Sequence, residues 1–202
     1  MSNWLCRPNT VAKTVEYFWQ GHRVGALAST LAKLINFLQS EVESLEQALA
    51  LFDQWQLEAG YRWCIGRLAA QNQSKKQLHQ KLRQRGLSDA LIEKVLLRLE
   101  KSSYLDEESL GKHAFEKAIK QRKSHRFIDQ SLRSKGLKLK GLDFEDRRNQ
   151  DVENALYWLN RWGQKEDLSE KITRYMSRLV SRGFDFEVCQ LAWQQWLQEN
   201  KR

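Results

Sequence analysis

The chain has 202 residues, 41% of them hydrophobic, with one proline and ten glycines. This composition supports one domain or a short array of small ones, leaves little material for hairpins and favours an all-α fold. The formal charge of +9 is uneven, because residues 1–60 carry four basic and six acidic side chains and the remainder carries 30 and 19. The segment from Lys117 to Lys140 contains nine basic residues and a single acidic one, Asp129. Such a density of positive charge attracts a polyanion, but it is also typical of a solvated surface.

Several function classes are disfavoured by the residues themselves. The odd number of distant cysteines indicates a reducing cytoplasm, with Cys64 and Cys189 as small core groups. The histidines lack ligand-like partners nearby, so no metal or other cofactor is expected. A signal peptide and an uninterrupted apolar span are not recognisable in the sequence, which predicts no membrane insertion. No phosphate loop, HExxH motif or nucleophile elbow is present, and we therefore predict that the protein is not an enzyme.

Residues 1–60 are predicted to form an N-terminal helical extension of two or three helices. Gly21 and Gly25 lie where a break between helices is expected. The aromatic residues of this extension are expected to form core, namely Tyr17, Phe18, Trp19, Phe37, Phe52 and Trp55.

Three later segments align on a glycine: LHQKLRQRGL, IDQSLRSKGL and YMSRLVSRGF. Each has an apolar residue eight positions before the glycine, a leucine four before it, a cation directly before it and an apolar residue directly after it. A period of this size is typical of a repeated supersecondary unit. In order, these sets are Leu78, Ile128 and Tyr175; Leu82, Leu132 and Leu179; Arg85, Lys135 and Arg182; Gly86, Gly136 and Gly183; and Leu87, Leu137 and Phe184.

The physics of one copy is local. The residues eight and four positions before the glycine share a helix face and are expected to be buried together. The glycine can adopt the left-handed conformation that ends a helix, and the preceding cation lies near the negative end of the helix dipole. This glycine-and-cation arrangement is explained if each copy only helps to form the core. Alternatively, it both helps to form the core and holds a basic face towards an acidic partner.

A second helix is predicted after two of the glycines. After Gly86, Ser88 is the expected N-cap, and an apolar stripe follows at helical spacing. After Gly136 the polar sequence KLKGLDFEDRRNQ predicts a short or broken helix. The predicted buried stripes are Leu91, Ile92, Val95, Leu96 and Leu99 after Gly86, and Val188, Cys189, Ala192, Trp193 and Trp196 after Gly183.

A further helix is predicted before each pair, with Asp106 as the N-cap of the middle one. The chain is therefore expected to contain tandem three-helix repeats, resembling helix-turn-helix units, stacked in an elongated array. The predicted repeats are residues 61–105, residues 106–150 with a degenerate third helix, and residues 151–202.

Sequence-specific DNA reading is disfavoured, because the second helices begin with acidic and apolar residues where a groove-reading helix needs polar and basic ones. The cations lie instead on the first helix of each pair and next to the glycine. Such a face is suited to following phosphates without reading bases, and equally to binding an acidic protein surface.

The motifs LRLEKSSYLDEE, RFIDQSLRSKGL and SRLVSRGFDFEVCQLAW, with the pattern L-x-x-K-L-x-x-[KR]-G, resemble the RecX family of bacterial recombination regulators over roughly residues 60–198. The family pattern near Tyr104 is Gly-Tyr-Leu-Asp-Asp followed by an aromatic-alanine pair. Here Ser103, Glu107, Leu110 and Gly111 depart from that pattern. The N-terminal extension lies outside the resemblance.

The resemblance implies a monomeric, cytoplasmic repeat protein of DNA repair and the SOS response. RecX-like proteins bind the RecA recombinase filament on DNA, modulate it, usually by inhibiting ATP hydrolysis and strand exchange, and in some cases contact single- or double-stranded DNA. A sequence-nonspecific DNA-binding protein and a helical adaptor with another partner remain alternatives. The predicted contact residues are Lys81, Arg83, Arg85, Arg126, Arg133, Lys135, Arg178 and Arg182, and the predicted structural residues are Leu82, Gly86, Tyr104, Asp106, Leu132, Gly136, Leu179 and Gly183.

Overall fold

The computed structural model describes residues 4–34, 42–137, 144–163 and 172–200, with the side chains of 144–146 outside that description. Within these ranges the chain forms nine helices and one small sheet. It divides into two compact units, Met1–Glu107 and Glu108–Arg202. The predominance of helix agrees with the prediction, whereas an all-α fold is wrong because the sheet is present.

The sheet lies where helices were predicted, in the first 28 residues. Strands β1 (Trp4–Asn9), β2 (Thr14–Trp19) and β3 (His22–Ala28) pair antiparallel in that order. Gln20 and Gly21 join β2 to β3 with φ of 45° and 84°, the two-residue turn whose twist matches paired strands. The β-branched and aromatic residues of TVEYFW suit a pleated, half-buried surface better than a helix. Strands therefore form here although the chain is poor in proline and glycine.

Helix α2 (Leu45–Ala70) packs on the sheet with its first half. Helix α1 (Ser29–Ala32) is a single turn after β3, and Ser44 caps α2 by accepting a 3.2 Å bond from the Gln47 amide. The rings of Phe52 and Trp55 lie 5.2 and 6.1 Å from the ring of Tyr17. The predicted core aromatics Tyr17, Trp19, Phe52 and Trp55 are buried, Phe18 is half-buried, and Phe37 lies outside the described residues.

The second half of α2 packs on helices α3 (Lys75–Arg83) and α4 (Asp89–Lys101). Gly60 lets the helices approach closely, because a Cβ there would lie 2.9 Å from Leu87 Cδ2 and 3.2 Å from Val95 Cγ2. Ser88 accepts a 3.4 Å bond from the Leu91 amide, which confirms the predicted N-cap. All five residues of the predicted stripe on α4 are buried.

The remaining helices belong to the second unit apart from Glu107, the first residue of α5. The predicted buried stripe on the last helix, α9, is confirmed at all five positions. It packs against Val152, Ala155 and Leu159 of α7 and against Tyr175 and Leu179 of α8. The bounds are α5 Glu107–Lys120, α6 His125–Ser134, α7 Phe144–Gly163, α8 Ile172–Ser181 and α9 Phe186–Asn200.

Two predicted repeat boundaries fall inside continuous helices. The boundary between residues 60 and 61 lies within α2, and that between 150 and 151 lies within α7. The segments FEDRRNQ and DVENALYWLNRWG form one helix because no proline or glycine interrupts them at the junction. The helix predicted to be short or broken after Gly136 thus continues into α7 from Phe144 onwards, while residues 138–143 lie outside the described residues. The three-helix repeats themselves remain a prediction.

Candidate partner-binding surfaces

The three aligned glycines end α3, α6 and α8 in the left-handed conformation that the sequence predicts. Their φ angles are 86° for Gly86, 76° for Gly136 and 88° for Gly183. After each, the next amide donates back to the leucine four residues before the glycine: Leu87 to Leu82, Leu137 to Leu132 and Phe184 to Leu179, at 3.4, 2.9 and 3.3 Å. This is the Schellman arrangement, and it places the apolar residue after the glycine against its own helix.

The cation before the glycine is partly a structural residue in two of the three copies. Arg85 Nη1 donates a 2.8 Å bond to the Lys81 carbonyl, and its guanidinium lies 4.1 Å from the centre of the Trp63 ring. Arg182 Nη1 similarly reaches the Arg178 carbonyl at 3.5 Å and lies 4.5 Å from the ring of Trp158. Each arginine therefore satisfies a carbonyl at its helix end while stacking on an indole. In the middle copy, Lys135 is half-buried.

In the first unit, the predicted contact residues lie beside a cation that the sequence analysis did not select. Burial lowers the pKa of Lys81, and the nearby Arg67 and Arg85 lower it further. The pKa of Arg85 is lowered by burial and then by Arg67. Arg67 on α2 was missed because only the packing of α2 on α3 brings it near the other two. Arg83 is the accessible member of the predicted set here, with 70% of its side chain exposed and Nε 3.8 Å from Asp89 Oδ1.

The side chain of Lys81 is fixed by a hydrogen bond within the protein. Its Nζ donates a 2.8 Å bond to Gln73 Oε1, and Gln73 is only 3% exposed. The side chain is half-buried as a result. Among Lys81, Arg83 and Arg85, the exposed Arg83 is the residue whose replacement disturbs the fold least.

In the second unit, a groove of about 880 Å³ runs between α6, α7 and the start of α9. Its charges are balanced by ion pairs: Arg126 with Asp185 at 2.8 Å, Arg147 with Asp129 at 3.4 Å and Arg148 with Glu187 at 3.2 Å. Arg133 also lines the groove and is exposed, and no described carboxylate pairs with it. The full lining is His125, Arg126, Asp129, Gln130, Arg133, Ser134, Arg147, Arg148, Asp151, Asp185, Glu187 and Val188.

The floor of this groove is fixed by a buried contact. His125 Nδ1 lies 2.9 Å from Asp151 Oδ1, and the same carboxylate accepts a 3.0 Å bond from the His125 amide. A carboxylate at a helix N-terminus is favoured by the helix dipole. The first unit repeats the device, since Glu107 accepts a 2.9 Å bond from the Lys75 amide at the start of α3.

The predicted cations of the second unit are divided between two places. Arg126 and Arg133 line the groove. Arg178 lies instead 5.0 Å from the centre of the Trp162 ring, next to Arg182. These predicted contact residues therefore fall into two groups within this unit. The aromatic partners Trp158 and Trp162 were missed because they lie on another helix, and only the packing of α7 on α8 brings them to these arginines.

The predicted structural residues have distinct environments. Leu82, Leu132 and Leu179 are buried beneath the glycine caps. Tyr104 instead exposes 52% of its surface, while its amide donates to the Leu99 carbonyl at 3.0 Å. Asp106 directly precedes the first residue of α5.

Two of the three cysteines are buried core residues. Burial raises the pKa of the Cys64 thiol to about 12 and that of Cys189 to about 11, so both remain protonated core groups. The described residues bring together no set of three histidine, cysteine or carboxylate side chains suited to a metal ion. None of the described helices combines the length and hydropathy that a bilayer-spanning segment needs.

Comparison with known proteins identifies one matching domain and two solved structures of similar fold. Residues 61–99 match the family model of the first three-helix domain of RecX. The crystal structure of a regulatory protein RecX shares the fold with a TM-score of 0.56 at 16% identity, covering 94% of this chain and 97% of that chain. The crystal structure of RecX from Lactobacillus salivarius gives 0.53 at 18% identity, covering 70% and 96%. No curated protein matches the chain.

The matched residues 61–99 run from the second half of α2 to the end of α4 and include the cap at Gly86. A mainly helical protein with glycine-capped, cationic helix ends is thus the class that the fold defines. Residues 61–99 therefore resemble the first three-helix domain of RecX, and the predicted resemblance to the RecX family is confirmed.

Proposed function

We propose that the protein is a regulator of the RecA recombinase that binds the RecA filament on DNA and inhibits its ATP hydrolysis and strand exchange. It acts as a non-enzymatic, cytoplasmic monomer in DNA repair and the SOS response. The observation that carries the proposal is the RecX-type match at residues 61–99. That segment has Lys81 and Arg83 in the last turn of its middle helix and Arg85 directly before the glycine.

The chemistry of the exposed cations supports this role. Arg83 and Arg133 project from equivalent positions, three residues before a glycine cap, and both are exposed. Exposed arginines form bidentate bonds with carboxylates and phosphates, the two anionic groups that a protein filament on DNA offers. Arg85 and Arg182 each donate to a carbonyl of their own helix end and lie against an indole ring, so their positions on the surface are fixed.

The test measures ATP turnover by RecA on single-stranded DNA with the protein in several-fold excess. We expect turnover to fall, and the Arg83→Ala/Arg133→Ala protein to need about tenfold higher concentration for the same effect, because two exposed charge contacts contribute about 1.4 kcal/mol together. Lys94→Ala/Lys101→Ala is the matched control, since it removes the same charge from exposed positions on α4.

A pull-down separates the partner from the DNA. The protein should be retained on RecA filaments assembled on DNA more strongly than on DNA alone. Unchanged turnover together with equal retention on both would rule out recombinase regulation and leave direct DNA binding.

A further inference from the structure

A pocket of about 340 Å³ lies in the second unit, between the turn that follows α5, the second half of α7 and the end of α8. This volume is at the lower end of the roughly 300–1,000 Å³ of pockets that hold small ligands. Five of its eight described lining residues are cations and none of the eight is acidic, whereas the groove pairs its arginines with carboxylates. The cations are Lys120, Arg122, Lys123, Arg161 and Arg182.

Two of these cations have contacts within the protein that hold the wall of the pocket in place. Arg122 Nη1 donates a 3.1 Å bond to Asn154 Oδ1, and the Arg122 carbonyl accepts a 3.0 Å bond from Trp158 Nε1. Lys123 Nζ lies 4.8 Å from the centre of the Phe127 ring. The turn after α5 is thereby attached to α7 through both its backbone and a side chain.

The other three cations are placed for a ligand. Arg161 and Arg182 lie 5.7 and 4.5 Å from the centre of the Trp158 ring, and Lys120 is exposed at the end of α5. A guanidinium on a ring face keeps its N–H edge available for an anion. Because these positions are fixed in advance, less entropy is lost when an anion binds.

The positive charges also repel one another within the protein. Burial lowers the pKa of Arg182, and the charge of Arg178 lowers it further. An anion bound among these groups relieves the repulsion.

The density of positive charge favours a terminal phosphate over the backbone of a nucleic acid. A phosphodiester in a strand carries a single charge, whereas a terminal phosphate alone carries about −1.5 to −2 at neutral pH. A di- or triphosphate therefore brings more negative charge into the same small volume, and its oxygens accept paired bonds from guanidinium groups.

Tyr157 adds an aromatic surface beside these cations. Its side chain exposes 41% of its surface, and its hydroxyl accepts a 3.3 Å bond from Arg161 Nη1. The Arg122 guanidinium lies 5.3 Å from the centre of the ring. The exposed part of the ring is suited to stacking with a planar base attached to the phosphates.

We propose that this pocket binds a nucleoside di- or triphosphate, with its phosphates on Lys120, Arg161 and Arg182 and its base against Tyr157. The ligand is a free nucleotide, not a strand, and its binding needs no recombinase. The proposal therefore stands or falls separately from the regulatory function.

The test is isothermal titration calorimetry of the full chain with ATP, AMP and inorganic tripolyphosphate, without RecA and without Mg²⁺, which would compete for the phosphates. ATP should bind at least about tenfold more tightly than AMP, because the added phosphates form charge-assisted bonds. Lys120→Ala/Arg161→Ala should weaken ATP and tripolyphosphate alike, by about tenfold.

Tyr157→Ala separates the base from the phosphates. It should weaken ATP about tenfold and tripolyphosphate much less, because only ATP has a base to stack. Tyr157→Phe retains the ring and should keep most of the affinity for ATP. Lys94→Ala/Lys101→Ala removes the same charge from exposed positions on α4 and should bind ATP like the unaltered protein. Circular dichroism of each variant checks that the fold is intact.

Three results would overturn the proposal. Equal affinities for ATP and AMP would show that the cations do not recognise a polyphosphate. An equal loss of ATP and tripolyphosphate affinity in Tyr157→Ala would show that the ring only positions the arginines. An oligothymidylate that displaces ATP at the same concentration of phosphate groups would identify a strand as the ligand.

Discussion

Gly86 and Gly183 end their helices with nearly the same backbone conformation, φ of 86° and 88°, but in different surroundings. A Cβ on Gly86 meets nothing within 4 Å. A Cβ on Gly183 would lie 2.7 Å from Ser124 Oγ and 2.9 Å from Phe127 Cβ. Ser124 cannot easily move away, because its Oγ accepts a 3.1 Å bond from the Phe127 amide and donates a 3.3 Å bond to the Arg182 carbonyl.

The substitutions Gly86→Ala and Gly183→Ala therefore separate backbone strain from steric overlap. The left-handed conformation costs alanine about 1–2 kcal/mol, of which about 0.5 is offset by the stiffer unfolded chain, so Gly86→Ala should destabilise by about 1 kcal/mol. Overlap with a packed neighbour adds about 1–3 kcal/mol, so Gly183→Ala should cost about 2–4 kcal/mol.

The free energy of unfolding is measured by urea titration of the full chain, followed by far-ultraviolet circular dichroism and tryptophan fluorescence. Tryptophan occurs in both units, so the fluorescence follows the unfolding of each. Equal losses at the two glycines would refute the steric part of the reasoning. No loss at Gly86 would refute the strain part as well.

Three further predictions concern single side chains. Ser103 occupies a left-handed cap with φ of 57°, so Ser103→Gly should stabilise the protein by about 0.5–1 kcal/mol in the same titration. Bonds from Arg98 and Arg62 lower the pKa of Glu58 below its ordinary 4.5. The stability that the Glu58 carboxylate contributes is therefore present above pH 4.5 and is lost as the pH falls through the lowered pKa. Glu58→Gln should cost about 0.5 kcal/mol of stability at neutral pH and nothing at strongly acid pH. Cys6 is half-buried, so a thiol reagent should modify it in the native protein before the two buried cysteines.

Each of these has an outcome that counts against it. A loss of stability in Ser103→Gly would mean that the hydroxyl contributes more than the strain costs. A constant effect of Glu58→Gln across pH would show that the ion pair is not its source. Cys6→Ser protein that still reacts as fast in the native state would place the accessible thiol elsewhere.

Local patterns predicted much of the helical part. The stripe from Leu91 to Leu99 and the cap at Ser88 are set by residues within one helix, so periodicity alone located them. The glycine caps were equally local, because a left-handed residue, a leucine four before it and an apolar residue after it form one bonded unit.

The wrong or missing predictions concern features that depend on contacts between residues far apart in the sequence. The prediction of helices in the first 28 residues was wrong because Gln20–Gly21 is a weaker hairpin signal than Asn-Gly, and because the sheet gains its stability from packing on Phe52 and Trp55. The stacking of Arg85 on Trp63 depends on the approach of two helices that no spacing reveals. For the same reason the approach of Arg161 and Arg182 to the turn after α5 was not foreseen, although Lys120, Arg122 and Lys123 of that turn lie in the charge run between Lys117 and Lys140.

The long helix α2 has a practical consequence for dissecting the protein. Its N-terminal half is covered by the sheet through Phe52 and Trp55, and its C-terminal half supplies Gly60 and Cys64 to the RecX-type bundle. A fragment that starts at residue 61, where the family match begins, would cut α2 in two. The remaining turns of α2 would lose the first half of the helix, which packs on the sheet. Deleting the hairpins alone would uncover two large rings to water. The β-sheet thus stabilises the RecX-type bundle through α2, and we expect the sheet and the bundle to unfold in one transition.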